Sequence, residues 1–592
     1  MTPLFFIAAL LAAPPTAPAG GPTPYEIQHV GRALARAKLK PDLQPMGKTI
    51  AFVRVVRFPV MVDFEDLPTF PNAVHVVTQE DVVRREMLLE TGQLFDPKAL
   101  AETVRNLRSM TIFSVVVALP VQAEEPGEVG ILLVTRDLWS LRLESAYQFT
   151  GGVLDKLLLQ LTERNAAGRN KRISARLFLE PLTMSTGGVY VDPRVGGEQL
   201  KITAVADARF SRLTDAYDGH RASLGIARPF YDLRQRWGFV LSGRFDDYIA
   251  RQGQRGKLLT YEAPEGARVP RVWGTRLIDV EGALRAQMGS DYIFRLSLGA
   301  GVIWRDADPV SETNLTEISD TDRMAFVDDV LPQPLHWVYP VFTAHCFANR
   351  YQGFRNLSAY GLTEDMRLGP QAVLTVRLPN RVFGAEEDVV SLSGHLLWRE
   401  TYLDDGVIEG ALGGYTRHEF EQDQRVDTLL LARIRGSTPT TSLGRLVFRG
   451  DWTVRRDLET EELMFLGGDN ALRGYPSQAF FDVTGDRVRG NLEYRSQPGQ
   501  WSSFYGGWVF FYDIGALYGG ETPSGLRQNV GLGFRTLMPQ ANRTAYRIDL
   551  AMPTDGSGFM LNLTGGSGQA VPITPADDSH FQSGIGGLLN QP

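Results

Sequence analysis

The chain has one cysteine among 592 residues, Cys346. That excludes an intramolecular disulfide framework, and no second Cys is available for a thiolate metal site. Its eight histidines are scattered, with neither HExxH nor Cys/His ligand spacing. A GxSxG elbow and a phosphate-binding P-loop are also missing. These absences point away from an enzyme, a metal and a cofactor. A net charge of −7 carries no signature of nucleic-acid binding. No window beyond the first residues holds about 18 uninterrupted apolar residues, so any crossing of a membrane has to be made by strands.

What the chain does have begins with MTPLFFIAALLAAPPTAPAG. Leu4–Ala13 has the length of a secretory h-region and Ala17-Pro18-Ala19 that of a cleavage site, so residues 1–19 are expected to be a signal peptide. The n-region lacks Lys and Arg. Residues 20–48 read as linker plus one short amphipathic helix over Tyr25–Leu39. Between 49 and 138 a compact α/β pattern follows. Thr49–Val56 is a strand. Thr78 is the expected N-cap of a helix Glu80–Leu89, and Gly92 stops it. Asp96-Pro97 opens a second helix, Lys98–Met110. Two strands, Ile112–Leu119 and Glu128–Thr135, complete the pattern.

Near the other end, Leu466–Gly515 contains LGGDNALRGY, VRGNLEYR and VFFYDIG. Val488, Gly490, Leu492 and Tyr494 share one face of a strand, and Arg487, Arg489, Asn491, Glu493 and Arg495 share the other. Further on, Trp508, Phe510, Tyr512, Ile514, Ala516 and Tyr518 oppose Asp513 and Gly515. An aromatic face opposite a charged one is what a barrel wall needs between lipid and water. Glu493 and Asp513 are therefore expected to point inward, within reach of Arg473 in the long loop before them.

Period-two alternation recurs from Leu141 onward. Leu141, Leu143, Ser145, Tyr147 and Phe149 oppose Arg142, Glu144 and Gln148. Trp237–Phe245, Phe294–Trp304, Val530–Phe534 and Tyr546–Met552 alternate likewise, with Arg547 and Asp549 on the second face of the last. A soluble sandwich also alternates, but the leader, the near-absence of Cys and the aromatic-ended strands favour a membrane barrel. The expected fold is mainly β: an antiparallel transmembrane β-barrel over 139–566, preceded by the small α/β domain, with a tail over 567–592. Strand lengths make about sixteen strands comfortable. Five strands lie after Asp486: Arg487–Ser496, Ser503–Tyr518, Gln528–Leu537, Ala545–Met552 and Gly558–Gly565. Glu262–Arg268, Ser311–Val330 and Gln352–Leu362 read as loops.

The β-α-α-β-β order resembles a POTRA domain of the BamA/TamA outer-membrane superfamily. VTQEDVVRREMLLETGQLFDPKALAETVRNLRSMTIFSVVV and VTRDLW carry the likeness. LRGY at Leu472–Tyr475, five strands from the end, resembles the family motif on a loop that folds into the lumen. The resemblance implies that Arg473, with Gly474 and Tyr475, is tethered to Glu493 and Asp513. Leu466-Gly467-Gly468 and ERNAAG at Glu163–Gly168 are further family-like elements. It also implies insertion, assembly or translocation of unfolded client polypeptide at a bacterial outer membrane. The first domain would then lie in the periplasm, where a chaperone or accessory protein is a possible partner. Two departures stand out: there is one POTRA-like module, and the chain continues past Gly565 unless its last strand lies at His580–Leu589. The alternatives are a passive pore, a lipid-handling barrel, or a docking platform for a periplasmic partner.

Overall fold

The computed structural model describes residues 22–65, 68–150, 153–254, 256–468, 472–483, 485–565 and 569–573. The expected signal peptide and the alternative last strand at His580–Leu589 lie outside them.

Helix α1, Pro24–Ala37, starts in a capping box in which Thr23 and Glu26 satisfy each other's backbone amides. Strand β1 (Thr49–Phe58), helix α2 (Glu80–Arg84), helix α3 (Pro97–Ser109), strand β2 (Phe113–Gln122) and strand β3 (Glu128–Asp137) follow. The sheet order is β1-β3-β2, with β1 parallel and β2 antiparallel to β3. The unbroken apolar run of β3 suits a strand covered on both faces. Leu132 and Val134 pack toward α1 with Val30 and Leu34. Ile131 and Leu133 pack on the opposite side with Leu100 and Leu107 of α3.

Helix α2 is shorter than the expected Glu80–Leu89. Beyond Arg84 the Leu88 amide donates to Thr103 Oγ1 at 3.1 Å, and the Glu86 carboxylate is drawn to Arg194 at 2.8 Å. Its N-cap is Gln79, without a side-chain bond. Thr78, the expected cap, instead donates both its amide and its hydroxyl to Asp137, at 2.7 and 3.0 Å.

The rest of the described chain closes into one antiparallel barrel. It has twenty strands, not the expected sixteen or so; two of them, Leu335–Arg355 and Asp486–Trp501, are interrupted by short kinks. The difference arises mainly early on, where seven strands fit between Leu141 and Arg251. Links as brief as Glu180–Leu182 consume little chain and carry little turn signal in sequence. Met560–Gly565 closes the barrel against Leu141–Thr150. The last five strands fall where the alternation put them.

Three expected loops are more ordered than polar composition implied. Thr260–Glu262 pairs with Arg268–Pro270, Asp320–Val330 is helical, and Arg350–Arg355 is a strand. Phe326 and Val330 of the helix are buried with Tyr261 and Trp273, an apolar contact that local polarity does not reveal.

Outward-facing Leu284, Leu298, Leu396, Leu412, Trp508 and Phe510 are exposed, whereas arginines and carboxylates point inward. An apolar exterior of this extent on a closed barrel is a lipid-facing surface. No described helix is long and apolar enough to cross a membrane.

The small domain sits across one mouth of the barrel. Gln79 N donates to Gly168 O at 2.9 Å, Arg108 pairs with Asp365 at 3.1 Å, and Thr363 donates to Glu26 at 2.8 Å. Arg543 donates to Phe113 O at 3.1 Å. These contacts involve two turns and the start of the strand Thr363–Arg377, spread around the rim, so the domain spans the opening.

His29 ties α1 to the sheet. Its Nδ1 donates to Tyr25 O at 2.8 Å, which leaves Nε2 to accept from Arg136 at 2.9 Å. Burial, reinforced by the Arg136 charge, pushes this imidazole down to about 4. A depressed folded-state value means that stability is full above about pH 6.5 and falls as pH drops toward 4, by about 3 kcal/mol in all. We expect α1 to loosen over that window and a His29→Gln variant to lose the dependence. An NMR titration placing His29 near its ordinary value would contradict this.

Candidate functional site: a buried charge lattice in the lumen

The long loop between Gly444–Arg456 and Asp486–Ser496 is built on a hairpin, Leu463–Leu466 with Phe480–Val483. Gly467 and Gly468 adopt φ of +124° and +84°, left-handed values that only glycine tolerates at little cost. They turn the chain so that Leu472 and Tyr475 are buried with Met464, Leu466 and Leu517. The loop tip is thereby anchored against the inner wall.

Of the five residues read from the sequence, the structure joins Arg473, Glu493 and Asp513 directly, while Gly474 and Tyr475 pack on the wall beside them. Arg473 is fully buried. Its Nε and Nη2 donate to the two oxygens of Asp513 at 2.9 and 2.7 Å, and Nη1 donates to Glu493 at 2.6 Å. Such a forked contact gives geometry as well as energy. The guanidinium lies 3.6 Å from the ring centroid of Phe511, a cation–π arrangement. Tyr475 donates its hydroxyl within 3.3 Å of Gln528 O and 3.2 Å of Asp555. A Cβ on Gly474 would meet Asn529 Cβ at 2.6 Å and Pro553 N at 3.2 Å, so this position needs glycine for close approach.

The strand register explains why these groups meet. Asn491, Asp513 and Asn529 are direct cross-strand neighbours, and both amides donate to Asp513, at 2.8 and 3.0 Å. The next inward row runs Glu493, Phe511, Gly531. A Cβ on Gly531 would lie 2.1 Å from the Phe511 ring, so the missing side chain makes room for the ring beneath Arg473. In the row after that, Gly533 faces Asp549.

Several members were not assigned from sequence. Asp549 lies 3.6 Å from Arg473 and accepts from Arg535 at 2.6 Å. Arg495 donates to Glu493 at 2.9 and 2.6 Å, and Arg547 approaches Asp549 at 3.5 Å. Asn562 Nδ2 donates to Arg473 O at 3.0 Å, tying the motif to the closing strand. Inward parity on each strand was the available signal. Which strands face the loop was not.

A second cluster joins the domain to the wall. Asp137 of VTRDLW accepts from Thr78 and lies 2.9 Å from His75. Asn165 of ERNAAG donates to Thr78 at 2.9 Å. Gly168 holds φ +69°, and a Cβ there would clash with Val77 O at 2.6 Å. Among the described residues no group of His, Cys, Asp and Glu could hold a metal.

Removing one partner of a buried ionic cluster costs about 3–5 kcal/mol, because the remaining charges stay desolvated. Arg473→Ala is expected to release the loop while the barrel still forms, and Arg473→Lys to restore only part of the tether. Gly474→Ala should loosen the loop through the Asn529 clash. Protease cleavage within 463–483 reads all three. Wild-type resistance in Arg473→Ala would mean that the lattice does not hold the loop.

No family model matches the chain, and no curated protein sequence does. Among solved structures, CdiB from Acinetobacter baumannii is 11% identical, covering 88% of this chain and 74% of its own, with a TM-score of 0.39. BamA from Haemophilus ducreyi lacking POTRA domains 1–3 is 12% identical, covering 87% and 84%, with a TM-score of 0.34. The copper transporter OprC is 11% identical, covering 73% and 71%, also at 0.34.

Proposed function

We propose that this protein is an outer-membrane barrel of BamA/TamA type that assists insertion, assembly or translocation of client polypeptides, with its N-terminal domain in the periplasm. The observation that carries the reading is the closing strand. Among the described residues, Met560–Gly565 has six residues and five register pairings with each neighbour. Val272–Met288 and Tyr292–Pro309, by contrast, share sixteen.

A short closing strand is the place where a barrel parts at least cost. Once parted in lipid, its edges expose backbone donors and acceptors that must be satisfied. An extended client segment satisfies them by strand addition. The Arg473 loop supports the reading because it braces the wall leading to the seam through Glu493 and Asp513 and reaches the closing strand through Asn562. In this reading no covalent chemistry, nucleotide or metal is required. Client strand pairing and burial in lipid supply the free energy.

Purified protein reconstituted in liposomes with an unfolded outer-membrane client tests it. Client folding, scored by heat-modifiable gel mobility, should be faster than in empty liposomes. It should stop when Tyr147→Cys and Leu563→Cys, which face each other across the seam, are oxidised in a Cys346→Ala background, and resume on reduction. No acceleration by a correctly folded barrel would favour a passive pore or a docking platform. Acceleration that survives the lock would remove the seam from the mechanism.

A further inference from the structure

Residues 569–573 run across the inner wall at the mouth that carries the N-terminal domain. Arg535 donates to Gln569 Oε1 at 3.1 Å, Arg495 to the carbonyl of Val571 at 2.5 Å, and Arg435 to the carbonyl of Pro572 at 3.2 Å. These arginines come from Arg527–Leu537, Asp486–Ser496 and Gln424–Ser437, so the segment traverses several neighbouring strands. Val571 and Ile573 are buried with Phe354, Leu357, Met366, Leu368, Val407 and Val447. Gln569 also donates to Ser358 O at 3.3 Å.

The chemistry of this contact is that of peptide recognition. Two arginines reach main-chain carbonyls, which every residue presents, while an apolar hollow takes side chains two positions apart. Pro572 between them brings no N–H that would need a partner. The arginines are held independently of the segment: Arg495 by Glu493 and Arg435 by Glu409 at 2.9 Å. The receiving surface is therefore organised by the wall.

We propose that the inner wall at this mouth is a binding site for an extended peptide with small branched apolar residues at alternate positions, and that residues 569–573 of this chain are its resident ligand. Residues 569–573 then occupy the inner wall of this mouth alongside the N-terminal domain. Occupancy by the tail does not depend on client handling.

A fluorescent peptide of the sequence 568–575, GQAVPITP, tests the site on full-length protein in detergent. A tethered segment competes at an effective concentration in the millimolar range. Wild type should therefore bind the free peptide at least about a hundredfold more weakly than Val571→Asp/Ile573→Asp, whose own tail is expelled. A peptide carrying the same two Asp residues should bind neither. Equal binding to both proteins, or none to a correctly folded vacated variant, would overturn the proposal. Should that variant fail to fold, Val571→Cys in a Cys346→Ala background gives a second reading. Its thiol should react with a water-soluble maleimide at least about tenfold more slowly than that of Ser557→Cys on an exposed turn. It should speed up when excess peptide displaces the tail. A rate equal to Ser557→Cys would mean the site is not occupied.

Discussion

The Arg473–Asp513–Glu493 contact is the constraint around which the last five strands of the barrel are arranged. A carboxylate buried away from water must find a cation, and here three of them, Glu493, Asp513 and Asp549, share the arginines 473, 495, 535 and 547. Only Arg473 comes from a loop, so the loop has to enter the lumen for the lattice to close. The glycines follow from it. Gly474 allows the backbone to touch the wall, and Gly531 and Gly533 clear space for Phe511 and for the Arg535–Asp549 pair. The lattice also reaches the closing strand through Asn562, so the loop, the wall and the seam form one mechanical unit.

The mouth that carries the small domain is held by contacts of another kind. The small domain is fastened at the rim by isolated polar pairs and one apolar patch, where Tyr25 and Leu34 meet Tyr360, Leu362 and Leu537. Paired charges such as Arg194–Glu86 and Arg108–Asp365 fix orientation more than they add affinity. Arg136 and Asp137, adjacent in sequence, serve opposite duties. The first holds α1 through Tyr25 and His29, and the second holds the segment leading to the barrel turn at Asn165. The wall is thus braced by one shared lattice, whereas the domain is fastened by separable contacts.

Much of this was legible in period two. The five strands from Arg487 to Gly565, the inward parity of Glu493 and Asp513, and the helix at Pro97–Ser109 follow from side-chain alternation, caps and glycine stops, all local properties. The earlier strands were undercounted, because links such as Glu180–Leu182 are too short to interrupt an alternating pattern. Loop order was missed at Asp320–Val330, where an apolar contact with Tyr261 stabilises a polar-looking helix.

What sequence by itself determined is the face each side chain takes on its strand, because alternation is a property of the extended backbone. It also placed the motif arginine in a loop and the acids opposite the aromatics. Tertiary structure alone decided which inward groups meet. Closure sets the register of twenty strands, and register, not sequence separation, puts Asp549 beside Arg473 and Arg535. The same holds for residues 569–573. Nothing local distinguishes them from a solvated tail, yet barrel curvature brings arginines from three strands around them. Such proximity arises only once the sheet has closed on itself.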